Sequence, residues 1–399
     1  MKLLLLLFLL LIVSHCFFCN AQTNTINDIK NDFILKIKPS HFISEKNLHT
    51  NLTKILTIPN NIKITPLNLP QNKKQKNDAT PYFHITIETP SKNRLMQLNY
   101  LKKMPFIEWI QPNYTYAIQT TPSDTYYQSH QWALDNINTT PLWPYLSSQC
   151  NTIAAIIDTG IDIDHEDLTK NIWTNTNEIP NNQIDDDNNG YIDDINGWDT
   201  YNNHADPHDD NGHGTHVAGI LGAQSDNATG IASLGSGCKL IALKAASKSG
   251  QLTSKSVAEA ILYAINNKAN IINLSFGATK NSVPEEKLLE DIIQLAIENN
   301  IIIVSAAGNQ SLDIQLHDYI PASYPGVIAV SATTHLDTIA DYSNYGEEIT
   351  ISAPGGTHFT IQEGIFSTIP PNNFDERYQT NIGTSMAAPH VSSLILQLL

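Results

Sequence analysis

Ile153-Ala154-Ala155-Ile156-Ile157-Asp158-Thr159-Gly160 is the stretch whose reading decides the fold. Its apolar residues follow one another without a polar break, as in a strand buried on both faces. Comparable short runs recur at 240–243, 271–274, 301–305 and 327–330. Segments 215–223, 254–267 and 285–299 fit helices between them. Strand–helix alternation with near-continuous apolar strands predicts an α/β domain built on a doubly wound, mostly parallel sheet. Chemistry in such sheets collects beyond the carboxyl ends of the strands, and Asp158 stands at that end of the first one.

The chain is 399 residues long, enough for two or three domains. Lys2 precedes an unbroken apolar run, 3–13, and Cys19-Asn20-Ala21 ends on a small residue. That layout predicts a secretory signal peptide over 1–21 and a secreted product; the run is too short for a membrane anchor. Residues 22–121 carry 13 Lys+Arg against 6 Asp+Glu, net +7, whereas 122–399 carry 9 against 33, net −24. A basic piece ahead of a strongly acidic one suggests mutual binding, and the acidic part would repel nucleic acid. Cys150 and Cys238 each precede an apolar run. In an exported chain they either pair or remain two small buried thiols.

The basic segment reads β-α-β-β-α-β. Strands fit 33–38, 61–69, 82–88 and 107–118, and helices fit 44–57 and 91–104. This is the split arrangement of a small ferredoxin-like α+β domain. It contains no cluster of catalytic residue types. It is either a binding module or a removable pro-segment, with the polar piece 119–124 as its linker.

In the acidic part four phrases stand out. Taken singly, Asp158 is a turn residue and Ser385, at the start of the apolar run 391–399, a favourable helix cap. His213, between glycines in Asn211-Gly212-His213-Gly214-Thr215-His216, opens a helix. His213 and His216 as metal ligands would lack the acidic partner of a helical zinc motif. The runs ending in Ser275-Phe276-Gly277 and Ser305-Ala306-Ala307-Gly308-Asn309 finish on small residues, which leave room for a ligand to lie alongside.

Jointly, Ala155-Ile156-Ile157-Asp158-Thr159-Gly160, His213-Gly214-Thr215-His216-Val217-Ala218-Gly219, Ala307-Gly308-Asn309 and Gly383-Thr384-Ser385-Met386-Ala387-Ala388-Pro389-His390 resemble the subtilisin-like serine endopeptidases, from about Asp124 to Leu399. The order Asp, His, Ser is that of subtilisin. The resemblance implies Ser385 as nucleophile, His213 as general base and Asp158 as its orienting carboxylate. It implies Asn309 as side-chain oxyanion donor, joined by the Ser385 N–H. Ser275, Phe276 and Gly277 would pair with extended substrate, while Ala306, Ala307 and Gly308 would wall the primary specificity pocket. The substrates would be proteins or peptides. Residues 22–121 would be an inhibitory propeptide, cut off by the enzyme itself, and 122–399 the catalytic domain of a monomer. In this family the chain normally continues for several tens of residues beyond the equivalent of Leu399, so a C-terminal truncation is expected. Ser392-Ser393 also departs from the family, which has a small residue and then glycine there.

Asp185, Asp187, Asn189, Gly190, Tyr191 and Asp193 fall at positions 1, 3, 5, 6, 7 and 9 of an EF-hand-type loop, with Asn196 in place of the closing Glu. A structural calcium ion is expected there; the alternative is a solvated acidic loop with a turn glycine. By resemblance alone, Asp167, Asp124 and Asn227 would hold a second calcium ion.

Overall fold

The computed structural model describes residues 32–38, 45–56, 62–67, 82–87, 101–113, 121–146, 150–358 and 360–399. The expected signal sequence, the linker up to 120 and most of the helix at 91–104 lie outside the described residues. The chain divides into two compact units, Met1–Ala117 and Ile118–Leu399, so the division falls four residues before the expected 121/122 boundary.

In the first unit β1 (Asp32–Ile37), α1 (Glu45–Leu56), β2 (Ile62–Pro66), β3 (Tyr82–Ile87) and β4 (Ile107–Pro112) follow the predicted alternation. The strands form one antiparallel sheet in the order β2-β3-β1-β4. That order suits the split β-α-β arrangement, with β1 and β2, linked by α1, separated by β3. Inward residues Phe33, Leu35, Ile37, Phe83 and Ile85 meet Leu48 and Leu52 of α1 in a single core.

The second unit is built on a seven-stranded sheet ordered β13-β12-β10-β8-β5-β7-β6. Its strands are β5 (Ile153–Asp158), β6 (Gly197–Asp199), β7 (Lys239–Lys244), β8 (Ile271–Leu274), β10 (Ile302–Ala306), β12 (Ile328–Thr333) and β13 (Ile351–Pro354). Every neighbouring pair is parallel. Successive residues of a strand serve opposite faces. Ala154 and Ile156 pack with Val217, Leu221, Ala387 and Leu396, from helices α2 (His213–Gly222) and α5 (Thr384–Leu398). Ala155 and Ile157 pack with Ile261, Ala264, Ile292 and Ile293, from α3 (Ser254–Asn266) and α4 (Leu288–Glu298). Burial on both faces is why these strands read as unbroken apolar runs.

Edge strands β6 and β13 have no such runs and were not expected. Two small antiparallel pairs complete the unit: β9 (Ala278–Thr279) with β11 (Tyr319–Ile320), and β14 (Ile365–Thr368) with β15 (Tyr378–Asn381). A disulfide joins Cys150 to Cys238, just ahead of the paired strands β5 and β7. Among the described residues no helix is long and apolar enough to cross a membrane.

Candidate active site

The carboxyl ends of β5, β8 and β10 and the amino ends of α2 and α5 converge. Asp158 closes β5 and is almost fully buried. His213 is the first residue of α2, and its Nδ1 lies 2.7 Å from Asp158 Oδ1. An ionised carboxylate only accepts, so Nδ1 carries the proton and Nε2 is left with its lone pair outward. Burial lowers the His213 pKa, but the charge of Asp158, its hydrogen bond and the charge of Asp209 outweigh this and leave it above the usual imidazole value.

Asp209, which the sequence did not mark, holds this geometry. Its Oδ2 accepts from Thr215 N–H and Oγ1, and its Oδ1 accepts from Gly212 N–H, capping α2. Thr159 Oγ1 donates to Asp209 and accepts from Gly214 N–H, tying the helix start to the end of β5. Lys244, paired in register with Asp158 on β7, sends its buried Nζ to Thr159 O and Asp210. The second histidine, His216, is wholly buried and bonded to Gln379 O. Burial pushes its pKa down to about 3, which suits a neutral structural ring.

Ser385 sits in the first turn of α5. Its Oγ donates to Ser275 O at 3.0 Å rather than to His213. Asn309 Oδ1 accepts from Thr384 N–H at 2.8 Å and from Thr384 Oγ1 at 2.9 Å. A backbone N–H can only donate, so the amide orientation is fixed and Nδ2 faces the other way as a free donor. An ideal Cβ at Gly383 would lie 3.2 Å from Asn309 Nδ2 and 3.7 Å from Ser385 N. The missing side chain thus leaves a space that both N–H donors border, at the positive end of a helix.

Pro389 lies inside α5 and cannot donate to Ser385 O four residues earlier. Ser275 Oγ supplies the missing bond, donating to Ser385 O at 3.2 Å. Asn273 Nδ2 donates to Ser275 Oγ, and Ser392 Oγ donates to Asn273 Oδ1. Ser392 therefore closes a buried chain of hydrogen bonds leading to the backbone of Ser385. The cleft continues past His213 as a cavity of about 220 Å³ lined by Thr159, Asn211, Ala246, Leu252, Ser275 and Phe276. Ala306, Ala307 and Gly308 lead from β10 to the exposed Asn309.

Residues 150–399 match the model of the subtilase family, peptidase S8. The chain belongs to the subtilase family. The match covers more than half of the chain and all four phrases of the site. A thermophilic serine proteinase of Bacillus sp. (strain AK1) is 36% identical over 294 residues, 74% of this chain and 63% of that protein. Thermitase of Thermoactinomyces vulgaris is 31% identical over 274 residues, 69% of this chain and 84% of thermitase. The structure of a protease from Pseudoalteromonas arctica PAMC 21717 superposes with a TM-score of 0.58 at 26% identity, covering 70% of this chain and 87% of that one. The chain therefore spans less than two thirds of the Bacillus relative, whereas most of thermitase is matched.

The subtilase unit also carries the acidic loop. Carboxylate oxygens of Glu178, Asp185 and Asp187 lie within 4.8 Å of one another, a grouping that suits a metal ion. Glu178 was not legible in the loop spacing, because it lies seven residues before the first aspartate. Its Oε1 accepts from the N–H groups of Asp186 and Asp187. Asn189 accepts from Tyr191 N–H and donates to Asp194, whose carboxylate also accepts from the buried Tyr263 hydroxyl. The Asp193 carboxylate is engaged elsewhere, accepting from the N–H groups of Asn182 and Gln183. At the second expected cation site Asp167 is buried and accepts from Asn227 Nδ2 and Ile231 N–H. Burial pushes the Asp167 pKa up to about 7, and the nearby Asp124 adds to the shift. Asp124 Oδ2 accepts from Asp226 N–H, whereas its Oδ1 is buried without a partner.

Proposed function

We propose that the chain is a secreted serine endopeptidase, made as a zymogen that processes itself and is stabilised by calcium. The observation that carries this reading is the pairing of a tautomer-fixed His213 with two N–H donors around the space beside Gly383. Attack requires the Ser385 side chain to rotate from Ser275 O toward His213 Nε2. Ser385 Oγ then adds to the scissile carbonyl as His213 takes its proton, and Asp158 stabilises the imidazolium. Asn309 Nδ2 and Ser385 N–H hold the oxygen that becomes negative. Collapse expels the amine, protonated by His213, and water admitted on the same path releases the acyl group.

His213 must be neutral to act. Activity is therefore full above its raised pKa and is lost as the pH falls through that value. A kcat/KM profile with its acidic limb below the ordinary imidazole range would contradict this.

Glu178, Asp185 and Asp187, with the Asn189 side chain, would hold one calcium ion. Asp124 and Asp167 beside Asn227 would hold another, and the orphaned Asp124 Oδ1 fits a cation rather than a proton donor of the chain. These ions supply structural stability and take no part in the chemistry. Residues 22–121 are read as the inhibitory propeptide, the leader 1–21 as the export signal and the mature enzyme as a monomer. A basic propeptide of net +7 ahead of an acidic domain of net −24 favours intramolecular inhibition.

The test is labelling by a fluorophosphonate in the full chain with calcium. Label confined to Ser385 is expected, together with accumulation of unprocessed chain in Ser385→Ala. A folded, processed chain that takes no label would refute the enzyme reading.

A further inference from the structure

The slot beside the nucleophile is already occupied. β8 and β10 are adjacent parallel strands that end at Leu274 and Ala306. Their continuations, 275–277 and 307–309, flank Ser385, since Ser385 Oγ bonds Ser275 O on one side and Asn309 reaches Thr384 on the other. A substrate acyl group whose oxygen points at Asn309 Nδ2 and Ser385 N–H has His213 on its leaving-group side. The side chain of its acyl residue must then enter between the two continuations.

Tyr319 stands at that point. An ideal Cβ on Gly277 would lie 2.5 Å from Tyr319 Cε1, and one on Gly308 would lie 2.4 Å from Tyr319 Cζ. The ring edge is thus wedged between the two glycines, which a side chain at either position would forbid. The ring cannot easily swing away. Its backbone is paired with Thr279 in β9–β11, and the side chain packs with Ala307, Ile314 and Ala322, leaving it 4% exposed. By contrast, the cavity on the His213 side is open and lined by Leu252 and Phe276.

We infer that Tyr319 fills the base of the acyl-residue pocket and restricts this subtilase to peptides with glycine, alanine or serine immediately before the scissile bond. This rests on the endopeptidase reading above. Overfilling a close-packed site is destabilising, so an aromatic or long aliphatic side chain at that position would have to displace a buried ring. One methylene in such a pocket changes discrimination roughly 10- to 200-fold, so the contrast between alanine and phenylalanine should be large.

The experiment compares succinyl-tetrapeptide p-nitroanilides that differ only in the last residue: glycine, alanine, leucine or phenylalanine. Fluorophosphonate labelling of the same preparation is run alongside. The processed wild type should favour alanine over phenylalanine by at least about tenfold in kcat/KM. Tyr319→Gly should reverse the order, whereas Tyr319→Phe, which keeps the ring, should preserve it. If Tyr319→Gly does not fold, the wild type and Tyr319→Phe still decide the matter. A labelled wild type that prefers phenylalanine overturns the role of Tyr319 and leaves the endopeptidase reading intact. A folded, processed wild type that neither labels nor cleaves overturns both.

Discussion

The sheet end and the acidic loop 175–194 both gather carboxylates, but only the sheet end supplies its own countercharge. Asp158 faces the His213 ring and the Thr159 N–H, with the Lys244 ammonium close by on Thr159 O. In the loop, Glu178, Asp185 and Asp187 crowd within 4.8 Å and receive backbone N–H groups and asparagine amides. Among the described residues no ion pair involves any of the three. Like charges at that separation repel by about 3–4 kcal/mol per pair at an effective dielectric near 20. A site that balances its charge can be preorganised by the chain alone. A site that does not would be completed, on the calcium reading proposed above, by a cation from outside.

The largest effect should come from removing the carboxylate at the sheet end. Asp158→Asn keeps the shape but lets the amide donate to Nδ1, which favours the wrong imidazole tautomer. A fall in kcat of about 10⁴-fold is expected, with the circular dichroism unchanged. A loss below tenfold would show that Asp158 does not orient the base. Asn309→Ala removes one of two donors at the space beside Gly383 and should lower kcat by about 10²- to 10³-fold at nearly constant KM. Equal changes in KM and kcat would instead mean that Asn309 acts in ground-state binding.

The loop should respond in stability rather than in chemistry. Calcium at a hundred times its dissociation constant would contribute about 2.7 kcal/mol, and chelation would then lower Tm by about 5 to 10 °C. Asp185→Asn combined with Asp187→Asn should remove much of that chelator-sensitive shift while the labelling of Ser385 persists. Identical melting with and without chelator would break the comparison drawn above.

The contrast also explains what was legible in the sequence. Asp158, His213, Asn309 and Ser385 each stand at or next to the end of an element beside small residues, which is what the proposed close approach of an extended peptide would require. Such phrases survive in linear order and can be read one at a time. The central strands are legible because two-sided burial excludes polar residues from them. Glu178, Asp209 and Tyr319 contribute through tertiary placement. Glu178 and Asp209 lie among many other acids, and Tyr319 lies in the two-residue strand β11, too short to show a period, with partner glycines 42 and 11 residues away in sequence. The edge strands β6 and β13 and the hairpin β14–β15 are too short or too mixed to show a period. Of the six elements read in the first unit, the four strands and the helix at 45–56 lie among the described residues, and the strands were legible because their sheet has one buried face and alternates accordingly.

The smallest effect is expected at Ser392. Pro389 deprives Ser385 O of its helical donor, and the hydroxyl of Ser275 replaces it. That hydroxyl can point at Ser385 O because Asn273 presents its amino group to Ser275 Oγ. Asn273 is held that way round by Ser392, whose hydroxyl donates to its Oδ1. In Ser392→Ala the buried Asn273 amide is free to turn, and Ser275 Oγ can then donate to Oδ1 instead of to Ser385 O. The nucleophile's backbone would lose one net hydrogen bond, about 1 kcal/mol, and kcat should fall by about two- to tenfold while KM changes little. Ser393→Ala is the control, because Ser393 Oγ only returns to His390 O within the same helix. If both variants lose the same activity, the loss reflects general loosening of the helix, and the directed chain from Ser392 to Ser385 has no part in positioning the nucleophile.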